Sequence, residues 1–167
     1  MVRDDDARAA NADPPHGVDP WVDGDIEVAD VLSGLVVVSV GRGGPVQAAL
    51  NRALKAAGAI VLARTSTAEV TQMLGTFVPS VVVTEVVPGD DEGPRMLTEI
   101  RRLPTERGGA LPVVGVSWET LDPAPVLQAG FHGALVGPFD AIDVARTVLR
   151  AIRQRSSNEE RPGFPGA

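Results

Sequence analysis

Four apolar segments of this chain end where chemistry could be done: Val40-Gly41-Arg42, Val83-Thr84-Glu85, Val116-Ser117-Trp118 and Val136-Gly137-Pro138. In their terminal positions they offer one carboxylate, Glu85, one guanidinium, Arg42, and one hydroxyl, Ser117. Nucleophilic catalysis needs a base beside its nucleophile, and acid–base catalysis needs titratable groups poised against each other. These segments hold no lysine, no histidine and no acidic pair. No catalytic residue is assigned, and the set predicts a protein that is not an enzyme.

The rest of the composition narrows the chemistry further. Cysteine is absent, which removes disulfides, thiolate metal sites and cysteine catalysis. His16 and His132 each lack a second ligand at metal spacing, so no metal and no cofactor is expected. Gly41-Arg42-Gly43-Gly44 lacks the three-glycine spacing of a dinucleotide loop, and Pro45 removes an N–H from the helix start. Residues 1–30 hold nine acidic residues against Arg3 and Arg8, which amounts to the whole net charge of −7. That stretch cannot bury enough apolar surface to offset its ordering entropy, so residues 1–30 are expected to form an acidic disordered tail. Two readings of it stand: a solubilising leader, or a docking segment anchored by Trp21. Residues 156–167, polar with Pro162 and Pro165, are expected to fray. No membrane span and no signal peptide is visible, which points to a cytoplasmic protein.

Between the tails, residues 31–155 alternate strands with amphipathic helices. Leu35–Val40 is a continuous apolar run, as in a strand covered on both faces. Pro45 opens a helix whose apolar face is Val46, Ala49, Leu50, Ala53, Leu54 and Ala57. Ala59–Ala63 is a second strand, and Ser66-Thr67-Ala68-Glu69 is a capping box for a helix that buries Val70, Met73, Leu74 and Phe77. Val81–Val83, Leu111–Val116 and Gly133–Val136 are further strands. Met96, Leu97, Ile100 and Leu103 mark one helix face, and Asp140 caps a last helix facing inward with Val144, Ala145, Val148, Leu149 and Ile152. Crossovers of this kind are right-handed and build a parallel sheet with helices on both faces. The prediction is a flavodoxin-like, doubly wound α/β sheet of five strands in the order 2-1-3-4-5. Ligands in such sheets bind outside the carboxyl ends of the strands, which is where the four segments end.

The phrases Ala56-Ala57-Gly58-Ala59, Pro79–Glu85, Pro88…Gly93, Ala129-Gly130-Phe131 and Gly137-Pro138-Phe139, in this order and spacing, resemble the receiver domain of bacterial response regulators. The likeness spans residues 32–154. It implies a phosphorylation switch, with an acidic pair holding Mg²⁺, an acceptor aspartate, a Ser or Thr, and a Lys. On this chain the acidic pair falls on Gly41 and Arg42, the acceptor on Glu85, the hydroxyl on Ser117 and the lysine on Gly137. The switch aromatic falls on Ala134. Mg²⁺ wants hard oxygen ligands, and a fixed guanidinium repels it. Phosphoryl transfer needs the metal and a cation to neutralise charge. The expectation is a degenerate receiver that signals by protein–protein contact. The alternative is a small-ligand-binding module of the same fold.

Two side-chain questions stay open at this stage. Arg42 either points into water or pairs with Glu85 across neighbouring strand ends. Trp118 is either a lid on a small core or an exposed anchor. The resemblance places the interaction surface at Trp118, Leu121, Arg146, Arg150 and Arg153. The expected partner is a signalling protein or a second copy of the chain. Nucleic acid is not expected, since residues 31–167 are neutral and stacking aromatics are scarce.

Overall fold

The computed structural model describes residues 28–118 and 122–159. Trp21 and Leu121 lie outside the described residues. Five strands, β1 (Val36–Val40), β2 (Ile60–Arg64), β3 (Val81–Glu85), β4 (Val113–Ser117) and β5 (Gly133–Val136), form one parallel sheet in the order β2-β1-β3-β4-β5. This is the predicted doubly wound sheet. The helices are α1 (Pro45–Ala56), α2 (Thr67–Leu74), α3 (Glu92–Arg101), α4 (Pro123–Gln128) and α5 (Ala141–Glu159). Among the described residues no helix is long and apolar enough to cross a membrane.

The strands are apolar throughout because both faces are covered. Val37, Val81, Val83, Val114 and Val116 pack on Leu50 and Leu54 of α1 and on Val144 and Val148 of α5. Val38, Val82 and Val113 pack on Val70, Met73, Met96, Ile100 and Val126, contributed by α2, α3 and α4. Successive strand side chains point to opposite faces, so each valine run feeds both layers.

Local signals set the helix starts. Ser66 Oγ accepts the Glu69 N–H at 3.3 Å, and the Glu69 carboxylate accepts the Thr65 N–H at 2.7 Å. The Thr65 N–H bond, above all, holds the Glu69 carboxyl below the usual range. Asp140 and Asp143 cap each other's backbone at the start of α5, with Asp143 N–H on Asp140 Oδ1 at 2.9 Å.

Two expectations need adjusting. Phe77 is not buried by α2: the helix stops at Leu74, Gly75 turns the chain, and the ring is 40% exposed. α5 runs on to Glu159, so a boundary at residue 155 falls inside the helix.

Gly58 joins α1 to β2 with φ +90, and a Cβ there would lie 2.6 Å from the Ala29 carbonyl oxygen. Gly58→Ala should lose about 1–2 kcal/mol from the left-handed backbone alone, and the overlap adds to this. Urea unfolding reads the loss as a lower midpoint; an unchanged midpoint would mean that the segment before β1 moves aside freely.

Candidate functional site

The strand ends meet at one rim. Register places Val40 beside Arg64 and Thr84, Glu85 beside Val116, and Ser117 beside Val136. The rim opens into a small cleft, part of it open to solvent, between the β1–α1 and β3–α3 loops. Gly41, Arg42, Thr67, Glu85, Asp90 and Glu92 line it. The structure therefore brings Gly41, Arg42 and Glu85 together, as the sequence predicted.

What fills the space at Gly41 was not foreseen. A Cβ on Gly41 would stand 3.0 Å from Glu85 Oε2, 3.2 Å from Gln47 Cβ and 3.3 Å from Gln47 Cδ. Gln47 is buried, and all its polar capacity goes to backbone. Its Nε2 donates to the carbonyls of Ser39 (3.2 Å) and Arg64 (3.1 Å), and its Oε1 accepts the Gly43 N–H at 2.8 Å. One amide thus ties the β1–α1 loop to β1 and β2. A polar residue inside a helix's otherwise apolar face was the available signal for it, and the hydrophobic pattern passes over such a residue.

Arg42 neither hydrates alone nor pairs with Glu85. Its guanidinium bonds the Asp90 carboxylate on the far side of the cleft. The other Asp90 oxygen accepts the Glu92 N–H at 3.0 Å, which turns the carboxylate toward the cleft. Glu85 Oε2 meanwhile lies against Gly41, 3.0 Å from where a Cβ would stand. The Arg42 side chain is 66% exposed, so the pair contributes no more than about 1 kcal/mol. These residues do not fit a divalent cation. Positions 41 and 42 supply no oxygen ligand, a guanidinium occupies the cleft, and no cluster of three acidic or histidine side chains forms among the described residues.

The other end of the rim is closed by Trp118. A Cβ at position 137 would lie 2.2 Å from Trp118 Cε3 and 2.7 Å from Cδ2. The indole also stacks on Phe139, with centroids 5.2 Å apart and planes at 21°. Gly137 N–H donates to the Ser117 carbonyl at 2.7 Å, fixing β4 to the β5 end, and the Gly137–Pro138 peptide is cis. Trp118 thus lies over Gly137, and it is still 39% exposed. Ser117 is buried at the end of β4. Ala134 is half-buried and packs against the layer formed by α2, α3 and α4. Arg146, Arg150 and Arg153 are exposed on α5. Ile142 and Leu127 are exposed as well, and nothing in the apolar pattern had set them apart.

A second polar cluster sits at the opposite end of the sheet. His132 Nδ1 accepts the Val113 N–H at 3.2 Å and lies 3.3 Å from Arg101 Nη2. Arg101 Nη1 also donates to the carbonyls of Gly109 (3.0 Å) and Leu111 (2.8 Å). Burial, then Arg101 and Arg155, push the imidazole below its ordinary range.

Among solved structures the match is to receiver domains. A chemotaxis response regulator of Vibrio cholerae superposes with a TM-score of 0.57 at 20% identity, covering 70% of this chain and 98% of its own. The receiver domain of a sensor histidine kinase from Pseudomonas aeruginosa, solved with magnesium in its active-site cleft, gives 0.61 at 20% identity, covering 72% and 99%. The signal receiver domain of a histidine kinase from Syntrophus aciditrophicus gives 0.57 at 20% identity, covering 80% and 98%. The chain has the fold of these receiver domains. No protein-family model and no curated protein matches its sequence.

Two predictions follow from the bonds at either end of the sheet. Gln47→Leu keeps the volume and leaves the Gly43 N–H without its acceptor, a loss of about 1–3 kcal/mol. Urea unfolding should show it together with faster hydrogen exchange at Gly43, and native-like values for both would mean that water replaces the amide. At His132 the folded chain resists a proton that the unfolded chain binds near pH ~6.5. Stability should therefore decline as pH falls from about 7.5 to about 5.5. His132→Asn keeps an acceptor and cannot titrate, so its melting temperature should decline less. Equal slopes in the two proteins would assign the pH dependence to other groups.

Proposed function

We propose that the protein is a receiver-fold signalling module that works without phosphorylation and by contact with another protein. The observation that carries this reading is the position where the resemblance implies a lysine, since Trp118 occupies the space of any side chain at residue 137. The position implied for a metal-holding carboxylate is tighter than usual, with Glu85 Oε2 and Gln47 at 3.0–3.3 Å from a Cβ placed there. Charge on a transferring phosphoryl group would have neither a metal nor a lysine to neutralise it. In this reading the working domain runs from residue 31 through the end of α5 at Glu159, and the protein acts in the cytoplasm. It has no catalytic residues and uses no cofactor. Its partner is a signalling protein or a second copy of the chain, met through Trp118, Leu121 and the arginines of α5. The cleft favours this over small-ligand binding, because part of it is open to solvent and an Arg42–Asp90 ion pair stands in it.

Acetyl phosphate with Mg²⁺, followed by intact-mass measurement, tests the first half. No phosphoryl group should be added, and tryptophan fluorescence should not respond to Mg²⁺. Uptake mapped to Glu85 would overturn the reading.

A further inference from the structure

The chain enters the described fold at a single place. Leu32 N–H donates to the Ala57 carbonyl just beyond α1, at 2.7 Å, and Val28–Asp30 lies against α5. Since this segment leads into β1, it lies at the amino ends of the strands. α5 returns to that end after β5. The described fold therefore begins beside α5, at the point where residues 1–27 join it in sequence.

α5 is the most basic element of the domain. Between residues 146 and 155 it carries Arg146, Arg150, Arg153 and Arg155 and no acidic residue. Arg146, Arg150 and Arg153 are exposed and recur at a spacing that puts them on one helix face. Residues 1–27 carry Asp4, Asp5, Asp6, Asp13, Asp19, Asp23, Asp25 and Glu27 against Arg3 and Arg8. Reach is no obstacle. The stripe from Arg146 to Arg153 spans about 10 Å at the helical rise, and 27 extended residues span up to about 90 Å.

We propose that residues 1–27 dock in cis on the arginine stripe of α5, so that a partner using this face must displace the chain's own acidic segment. Each exposed ion pair is weak, but tethering raises the local concentration of the segment to about the millimolar range, where several weak pairs suffice. The proposal uses the stripe named under the proposed function and is independent of whether Glu85 accepts phosphate.

The chain has no cysteine, so Ala12→Cys gives a single site for a nitroxide label in the full-length protein. In about 20 mM salt, where screening reaches only ~20 Å, the amide signals of residues 146–153 should lose most of their intensity, and those of α2 and α3 should keep theirs. Adding salt to about 0.5 M should restore the lost signals. The double variant Arg146→Glu, Arg150→Glu should restore them at low salt. Intensity lost evenly over the domain, or lost elsewhere, would overturn the proposal, and so would loss that persists in the double variant. Mixing spin-labelled unenriched chain with unlabelled enriched chain separates the routes: loss in that sample would make a second copy the occupant and refute docking in cis.

Discussion

Gln47 bonds three backbone groups from three pieces of chain, and the shape of the rim depends on those bonds. In a parallel sheet the strand ends stop together, and the loops that follow carry unpaired N–H and C=O groups. Those groups need partners wherever they are buried. Here one side chain from the first helix supplies them for Ser39, Arg64 and Gly43. With the loop pinned by a neutral amide, Gly41 lies against Gln47 and Glu85, and Arg42 is carried outward to Asp90. The cleft is thus shaped by protein groups that satisfy one another.

The two ends of the sheet use polar residues differently. At the carboxyl ends the buried groups are a neutral amide and hydroxyls, while the charges of Arg42 and Asp90 stand toward water. At the amino ends the guanidinium of Arg101, on an exposed residue, reaches carbonyls and an imidazole nitrogen. Burial lowers the pKa of Arg101 as well as that of His132, and Arg155 adds to both. That end holds an imidazole among its polar contacts, and the loop at the rim is pinned by the neutral amide of Gln47.

Much of this fold was legible in the sequence, because valine runs covered on both faces can be little other than parallel strands. Val81–Val83 and Val113–Val116 sit in the strands that their composition implied. The capping residues Ser66 and Asp140 act where their spacing put them. The positions brought to the rim were legible too, since strand ends follow from strand identity. The partners were not. Arg42 had two carboxylates within a loop's reach, and only the turn at Asp90 decides between them. Phe77 fits the helical period of α2, but the helix ends at Leu74 before the period reaches it. Gln47 and the contact of Trp118 with Gly137 depend on how loops close over the rim, which periodicity does not encode.

The close approach of Trp118 to Gly137 also constrains what this sequence can become. A lysine at 137 would have to enter where the indole already lies, at a Cβ separation of 2.2 Å from Cε3. Replacing the tryptophan first would uncover Phe139 and Gly137 and give up the stacking before any new group arrived. Each single step toward a lysine therefore passes through a less well packed chain, and the order of substitutions matters as much as their identity. At Gly41 the constraint is milder, since Glu85 and Gln47 would have to give by a few tenths of an ångström. On a landscape explored one residue at a time, these two glycines act as a ratchet that keeps the domain in its present chemistry.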